Sequence, residues 1–397
     1  MKFPFPEVVI FCGLFTAVDS LFAQTWPPVT NAPATTPATT WNAIALSADG
    51  TKWVAVTFNG LIYNSADSGA TWTSNNMSNS KAWYSVASSA DGTKLIAGGS
   101  CIYTSTNSGF IWVSNNVPST IWISVASSAD GNKLVAVSGK YGLGGLPLVG
   151  PIYTSTNSGV TWISNNAPVQ IWQSVASSAD GNKLAAVVYD GPIYTSTNSG
   201  ATWISNNAPV LTWRSVASSA DGNKLVAVTY YSGIYTSTNS GATWVYRGAC
   251  PFGQSVASSA DGDRLIAGFT YDGQSGSIYT STDSGANWTL NNAPGKGWIS
   301  VSASADGNKL AACAFSDRIY TAYSTPSPSL NLTSFSNDLA LSWIVPSTNI
   351  VLQQNSDLTT ANWVMLTNPP VLNLTNLQDE IILSPSNSSG FFRLITQ

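Results

Sequence analysis

Residues 172–203 read WQSVASSADGNKLAAVVYDGPIYTSTNSGATW, and units of this pattern recur seven times along the 397-residue chain. An aspartate in a Ser-Ala-Asp-Gly or equivalent tetrad marks each unit, and successive marking aspartates lie 39 to 50 residues apart. A period of roughly 40–45 residues is typical of repeats that each form one four-stranded propeller blade. The marking residues are Asp49, Asp91, Asp130, Asp180, Asp221, Asp261 and Asp306.

Each unit predicts four short strands. Residues 174–178 and 183–188 are rich in Ser, Ala and Val and are joined by an Asp-Gly step, which is a strong hairpin signal because the turn needs positive φ. Residues 192–197 and 201–205 follow, with Gly200 supplying the turn between them. We therefore predict an all-β fold, a seven-bladed β-propeller of four-stranded blades.

The two ends of the repeat region complement each other. The seventh unit, residues 298–320, has three strands and no Gly-x-x-Trp, whereas residues 25–29 resemble the end of a unit that lacks its first three strands. We expect this amino-terminal strand to close the ring within a propeller of residues 24–323. Residues 324–329 are a predicted linker, and six short apolar runs in residues 330–397 predict a small β-sandwich.

Residues 1–23 resemble a secretory signal peptide, with Lys2, an apolar run over residues 8–18 and a small residue at Ala23. We expect a secreted or cell-surface protein, periplasmic or extracellular, without membrane insertion once this segment is removed. Charged residues make up 9% of the chain and the net charge is −4, so no basic stripe favours nucleic acid. We expect a monomer.

Six units carry the turn Ser-x-(Asp/Asn)-x-Gly-x-x-Trp. This turn resembles the Asp box, or BNR repeat, of sialidases, cellulose- and xyloglucan-active enzymes, sortilin-type receptors and the photosystem II assembly factor family. The resemblance covers about residues 25 to 323 and implies a propeller in which the Asp box is structural and remote from the binding site. The residues at the Asp position are Asp67, Asn107, Asn157, Asn198, Asn239 and Asp283.

Side chains for catalysis are scarce. The chain has no histidine, and its two glutamates, Glu7 and Glu380, lie outside the propeller, so a sialidase-type tyrosine and glutamate pair is missing. An aspartate-dependent glycoside hydrolase stays an alternative, because two carboxylates suffice for that reaction; Asp190, Asp272 and Asp317 are its candidates, each with a simpler interpretation as a turn residue. Cys101, Cys250 and Cys313 show no metal-site spacing, and we expect no metal and no cofactor.

The connections between the second and third strands, and those between the fourth strand and the next first strand, vary most between units. In a propeller both open on one face, opposite the Asp boxes, and we call it the variable face. Its aromatic and polar residues predict a protein or glycan site, although the tryptophans that precede each first strand can instead cap the core between blades. The candidate ligand-binding residues are Trp83, Tyr84, Trp122, Tyr141, Trp172, Gln173, Tyr189, Asp190, Trp213, Arg214, Tyr230, Tyr271 and Asp272.

Because near-identical units favour a binding platform over an asymmetric active site, we predict a secreted, non-catalytic propeller that binds a protein or a surface glycan. Two alternatives stay open. One is the aspartate-dependent hydrolase acting on a polysaccharide, and the other is an assembly factor resembling the photosystem II family.

Overall fold

The computed structural model describes residues 25–33, 40–75, 81–141, 147–248, 250–323, 330–335, 338–344, 350–356, 360, 362–366, 369–373, 378–383 and 391–396. The predicted signal peptide and linker lie outside these residues. Those up to residue 323 belong to one compact unit and those from residue 330 onward to a second, smaller unit. Every regular element described is a β-strand.

The larger unit contains seven antiparallel sheets, which we number in chain order. In sheets 1 to 6 the four strands are hydrogen-bonded in sequence order, as the repeats predict, and in sheet 7 three named strands are. Sheets 1 to 3 consist of β1 (Thr40–Leu46), β2 (Trp53–Phe58), β3 (Ile62–Ser65), β4 (Thr73–Ser74); β5 (Ser85–Ser88), β6 (Leu95–Gly98), β7 (Ile102–Ser105), β8 (Val113–Ser114); and β9 (Trp122–Ser127), β10 (Leu134–Tyr141), β11 (Pro147–Ser155), β12 (Ile163–Ser164). Sheets 4 to 7 consist of β13 (Trp172–Ser177), β14 (Leu184–Val188), β15 (Ile193–Ser196), β16 (Ile204–Ser205); β17 (Trp213–Ser218), β18 (Leu225–Thr229), β19 (Ile234–Ser237), β20 (Val245–Tyr246); β21 (Gly253–Ser258), β22 (Leu265–Thr270), β23 (Gly276–Ser281), β24 (Thr289–Leu290); and β25 (Trp298–Ala303), β26 (Lys309–Ala314), β27 (Ile319–Tyr323).

A cycle of backbone hydrogen bonds links the seven sheets at the ends of their first strands. The alanine before each marking aspartate donates its N–H to the carbonyl of the same alanine in the next sheet, as from Ala48 to Ala90 at 2.8 Å. The last step, from Ala305 of sheet 7 back to Ala48 of sheet 1, is also 2.8 Å long. A small residue fits here because the backbones of neighbouring sheets approach within hydrogen-bond distance. The seven alanines are Ala48, Ala90, Ala129, Ala179, Ala220, Ala260 and Ala305.

The core lies between successive sheets. Each interface packs aliphatic side chains of one second strand against those of the next sheet. Six interfaces contain a buried tryptophan from the start of a first strand, and the seventh contains Phe269 of a second strand. Trp172, for example, contacts Val137, Ile152 and Leu184 within one such cluster. Burial of these apolar surfaces between sheets is the main stabilising contribution to the unit.

Serine hydroxyls add a second kind of link between sheets. A serine near the start of a first strand accepts the N–H of a valine or isoleucine in the next sheet, as Ser124 does from Val175 at 3.2 Å. Sheet 1 has Ala43 at this position, and this alanine has no hydroxyl to accept the N–H of Val86 in sheet 2. The equivalent serines are Ser85, Ser124, Ser174, Ser215, Ser255 and Ser300.

We expect Ala43→Ser to stabilise the protein by about 1 kcal/mol, the net contribution of a typical intramolecular hydrogen bond. The new hydroxyl would accept the N–H of Val86 as Ser124 accepts that of Val175. Urea unfolding of the wild type and the variant measures the change, with Ser124→Ala as a control that should lose a similar amount. Equal stability of Ala43→Ser and the wild type would show that sheets 1 and 2 cannot form this bond.

The Asp-Gly hairpins and the Asp-box turns lie together at the same ends of the strands. In sheet 4, Asp180 accepts hydrogen bonds from Ser178 Oγ at 2.6 Å and from the N–H of Asn182 at 2.9 Å. Asn198 accepts the N–H of Thr202 at 2.9 Å, and Ser199 donates its N–H to the carbonyl of Asn182. Equivalent bonds within the turn are made by Asp67, Asn107, Asn157, Asn239 and Asp283. These are the local bonds by which Asp and Asn side chains stabilise turns.

These bonds also shift acid strength. Burial alone would raise the pKa of Asp180, but hydrogen bonds from Ser178 and Asn182 outweigh it and lower the pKa below the ordinary 3.8. At Asp67 it is mainly the hydrogen bonds from Thr71 that lower the pKa of the carboxyl group. The described aspartates with lowered pKa are Asp49, Asp67, Asp91, Asp130, Asp180, Asp221, Asp263, Asp272 and Asp283.

We therefore expect stability to be independent of pH between about pH 5 and pH 7 and to fall as the pH drops below about 4. The folded carboxylates bind protons less readily than the unfolded ones, so acid favours the unfolded chain. Asp379, whose pKa burial raises, acts in the opposite direction but is a single group. Thermal unfolding between pH 3 and pH 7 measures the effect, and a midpoint that rises on acidification would contradict it.

The first described residues pair with the last sheet. Val29 donates its N–H to the carbonyl of Ile319 at 2.8 Å, Thr321 donates to that of Pro27 at 3.2 Å, and Pro28 lies opposite Tyr320 in an antiparallel bridge. Trp26 is buried, with its ring centroid 6.2 Å from that of Trp298. The predicted extra strand thus lies against β27 of sheet 7.

The smaller unit has two antiparallel sheets with a common apolar core. One sheet has the order β28-β29-β33-β32 and the other β31-β30-β34, and Leu341, Trp343 and Ile381 of the first cluster with Leu352 of the second. Their strands are β28 (Asn331–Phe335), β29 (Asp338–Ile344), β30 (Ile350–Asn355), β31 (Val364–Met365), β32 (Val371–Asn373), β33 (Gln378–Leu383) and β34 (Phe391–Thr396). Among the residues described in either unit, no helix is long and apolar enough to span a membrane.

Candidate functional site

The connections of the variable face lie together in the structure. In sheets 1, 3 and 4 the loop after the second strand forms an antiparallel bridge with the segment that leads into the next sheet, as between Gly191 and Leu211. In sheet 5, Ile234 donates its N–H to the carbonyl of Gly248. In sheet 3 the strands themselves are longer, with β10 reaching Tyr141, β11 beginning at Pro147 and Gly139 lying opposite Val149.

Four predicted ligand-binding residues are not at the surface. Trp83, Trp122, Trp172 and Trp213 are at most 1% exposed, and each ring packs between two neighbouring sheets. The indole N–H of Trp172 donates to the carbonyl of Gly150 at 3.0 Å. Because these rings fill the core, we correct the sequence-based assignment and remove all four from the candidate site.

The residue that follows these tryptophans in the chain lies, in most sheets, at an irregular position of the first strand. The register between first and second strands shifts at this position in every sheet except sheet 2, which makes the residue a β-bulge, as Arg214 is between Trp213 and Ser215. A bulge redirects the side chain relative to the regular strand. The residue type at this position differs between units, as Asn42, Gln173 and Arg214 show, but the sequence does not reveal the bulge.

Arg214 lies at the centre of a cluster of aromatic rings. Its guanidinium carbon is 4.7 Å from the ring centroid of Tyr230 and 5.7 Å from that of Tyr189, which is cation–π distance. Tyr189 follows β14 in sheet 4 and Tyr230 follows β18 in sheet 5, so the arginine bridges loops of neighbouring sheets. Its Nε is buried and has no hydrogen-bond partner among the described residues.

The aromatic contacts continue into sheet 6. Tyr230 makes perpendicular contacts with Tyr231 at 4.7 Å and with Phe252 at 5.3 Å, and Phe252 contacts Tyr271 at 6.3 Å. Tyr231 is 65% exposed and Tyr271 is 43% exposed. We call this group the arginine–aromatic cluster; its members are Tyr189, Arg214, Tyr230, Tyr231, Phe252 and Tyr271.

Sheet 6 departs from the repeat where it contributes to this cluster. The first-strand tryptophan of the other sheets is replaced by Gly253, and the opposing residue of the second strand is Phe269, which is fully buried. In sheet 5 the same pair is Trp213 and Thr229, so the large ring has moved from one strand to its partner. A large ring fills the core in both sheets. In sheet 6 that ring is Phe269, so the segment before Gly253 does not have to fill the core.

Phe252, directly before this glycine, has φ of 67°. Positive φ is unusual for a bulky side chain, and such strain is concentrated at functional sites. Phe252 is not among the residues that the sequence predicts for the site. The available signal was the replacement of tryptophan by Gly253 in one unit of seven.

The remaining predicted residues are dispersed. Tyr84, at the equivalent position in sheet 2, contacts Phe58 of sheet 1 at 5.7 Å, which repeats the relation of Arg214 to Tyr189. Gln173 is the half-buried bulge residue of sheet 4. Tyr141 ends β10, and its side chain lies outside the part of the chain that the structure describes.

Each acidic candidate bonds to other residues of the protein. The hydroxyl of Thr212 donates to the carboxylate of Asp190, a residue with φ of 49°. Asp272 accepts the N–H groups of Gln274 and Ser275 at 2.9 and 2.6 Å, and these bonds, that of Ser275 first, lower its pKa. Asp317 forms an ion pair with Lys296 at 2.6 Å. The bonds of Asp272 match its interpretation as a turn residue, whereas Asp190 and Asp317 bind residues that are distant in the chain.

Two titratable groups close to the cluster in sequence or space, Cys250 and Tyr279, have raised pKa values. Burial raises the pKa of the Cys250 thiol, and burial together with the Cys250 hydrogen bond raises the pKa of Tyr279 to about 12. Both groups therefore stay protonated at neutral pH, where a nucleophilic thiol would have to be ionised. Among the described residues, no three His, Cys, Asp or Glu side chains are placed to hold a metal ion.

Comparison with known proteins identifies the fold. No protein-family model and no curated protein matches the sequence. A structure of YCF48 bound to D1 peptide has a TM-score of 0.56 at 15% identity, over 77% of this chain and 97% of that chain. YCF48 from Cyanidioschyzon merolae gives 0.56 at 16%, over 75% and 98%. The GH74 enzyme of Niastella koreensis gives 0.58 at 14%, over 81% of this chain and 59% of that chain.

The larger unit has a β-propeller fold. At identities of 14–16% the likeness concerns the fold alone. It agrees with the repeated four-stranded sheets, and it confirms that part of the sequence-based prediction.

Proposed function

We propose that this chain is a secreted, non-catalytic propeller that binds a protein or a surface glycan through the arginine–aromatic cluster of its variable face. The observation that carries the proposal is the placement of Arg214 against Tyr189 and Tyr230, within a run of rings that reaches the exposed Tyr271. Exposed aromatic side chains with a polar edge are favoured at recognition sites because they bury much surface and lose little entropy.

A polypeptide ligand has additional support. YCF48, whose structure resembles this chain, was solved with a bound peptide. Loops that depart from a repeated framework are where binding residues concentrate, and sheet 6 departs most clearly at Gly253 and Phe252.

The double variant Arg214→Met, Tyr271→Ala tests the proposal. We expect it to lose glycan-array binding, or capture of a defined partner from the surface of the source cells, by at least tenfold relative to the wild type. Tyr246→Ala is the matched control, because this tyrosine is 50% exposed but lies in the outer strand β20. Binding that the double variant retains in full, with an unchanged circular dichroism spectrum, would place the site elsewhere.

We also propose that the seven sheets are the blades of a closed propeller. The cycle of alanine hydrogen bonds, which returns from Ala305 to Ala48, supports this closure. The bonds of Ile44 to Ser300 Oγ at 3.3 Å and of Leu46 to Ser302 Oγ at 3.2 Å join the same two sheets.

Glycoside hydrolysis is the alternative that we disfavour. It needs one carboxyl group that stays protonated as the acid beside a second carboxylate, usually roughly 5–10 Å away. The lowered pKa of Asp272 and the hydrogen bond between Thr212 and Asp190 support structural roles instead.

Export is proposed from the sequence of residues 1–23 alone, and amino-terminal sequencing of protein recovered outside the cell tests it.

A further inference from the structure

The arginine–aromatic cluster contains hydrogen-bond donors for which the described residues supply no acceptor. Arg214 has N–H donors and no acceptor; its Nε is buried, so the donors open to a ligand are those of the two Nη atoms. Among the described residues no carboxylate lies within ion-pair distance of it. The nearby acids are engaged elsewhere, Asp190 by Thr212 and Asp272 by two backbone N–H groups. A complementary ligand therefore presents acceptors next to apolar surface.

The rings form a ridged surface rather than a flat one. Tyr230, Phe252 and Tyr271 follow one another at centroid distances of 5.3 and 6.3 Å, and each contact is nearly perpendicular, at 82° and 84°. In such edge-to-face contacts the rings touch, and each pair leaves a corner-shaped gap on its exposed side. The two steps together span at most about 12 Å, against about 9 Å for one three-residue turn of a polyproline II helix.

We propose that the ligand segment docked on this cluster is proline-rich and binds as a polyproline II helix, an inference that rests on the proposed function. Proline has a carbonyl acceptor but no N–H donor, which complements the donor-only guanidinium of Arg214. Its flat apolar ring fits the gaps between perpendicular aromatic side chains. Because polyproline II is already extended before binding, little conformational entropy is lost on docking to an aromatic-lined surface.

The probe is the capped decapeptide of proline, compared with a capped decapeptide of alternating glycine and serine, each titrated calorimetrically into the full chain. We expect the proline peptide alone to bind. Tyr271→Ala and Arg214→Met should each weaken its binding at least tenfold, whereas Tyr246→Ala should change it less than twofold. Arg214→Lys separates charge from planar donor geometry, and we expect it to weaken binding nearly as much as Arg214→Met.

Three results would overturn this ligand class: no binding of the proline peptide, equal binding of the glycine–serine peptide, or proline binding that the cluster variants leave unchanged. The proposed function fails separately. If a glycan or another protein still depends on Arg214 and Tyr271 while polyproline does not bind, the cluster is a binding site with a different ligand. If the cluster variants alter no binding at all, both proposals fall. Circular dichroism of each variant excludes unfolding as the cause.

Discussion

Replacing Trp172 with alanine is expected to lower the free energy of unfolding by about 3–5 kcal/mol, the usual cost of removing a buried aromatic ring. The ring is fully buried and lies 5.3 Å from that of Tyr194 in an edge contact. Its removal opens a cavity between sheets 3 and 4 and leaves the carbonyl of Gly150 without its indole donor. Urea unfolding followed by circular dichroism measures the loss.

A pair of phenylalanine variants separates the hydrogen bond from the packing. Trp172→Phe should cost about 1 kcal/mol more than Trp213→Phe, because the indole N–H of Trp213 has no hydrogen-bond partner among the described residues whereas that of Trp172 has one. A Trp172→Ala protein of undiminished stability that has lost its ligand would refute this and restore the tryptophan to the binding surface.

The sequence predicts the sheets well because their determinants are local. Asp180 and Gly181 specify a hairpin through a side-chain hydrogen bond and a positive φ, respectively. Asn198 and Gly200 do the same for the Asp-box turn. These interactions span only a few residues, so a repeated motif repeats the structure. The order of strands within sheets 1 to 6 follows directly.

The side of the sheet that each residue faces is harder to predict. Trp172 and Arg214 both lie at the start of a first strand on the variable face, yet one is core and the other half exposed. Their difference comes from a β-bulge and from the neighbouring sheet, whose residues lie about 40 positions away in the chain. Burial of the tryptophans between sheets was the alternative that the sequence left open.

Phe252 shows the same limit in another form. Its position depends on the exchange of a large ring between Gly253 and Phe269, which are paired across strands 16 residues apart. From sequence, the loss of one tryptophan indicates only that a unit is irregular. The structure is needed to show that Phe269 fills the core and that Phe252 joins Tyr230 and Tyr271 instead.

A protein that begins at residue 34 instead of residue 24 is expected to lose at least about 4 kcal/mol of its free energy of unfolding. The deletion removes Trp26, which packs on Trp298 and Tyr320, and Val29, which belongs to the core cluster of Trp41 and Ile319.

The deletion also exposes β27 as an unpaired sheet edge, which is prone to associate with other chains. We expect concentration-dependent aggregation and faster amide exchange at Thr321, whose N–H loses the carbonyl of Pro27 as its acceptor. Trp26→Ala keeps the backbone pairing, so we expect it to show most of the stability loss of the deletion without exposing the edge of β27. Thr25→Ala, at an exposed position, serves as the neutral control. If the shortened protein matched the full one in stability and exchange, the amino-terminal strand would not close the ring. Sheets 7 and 1 would then be held by the bonds from Ala305, Ile44 and Leu46 and by the apolar cluster between the two sheets.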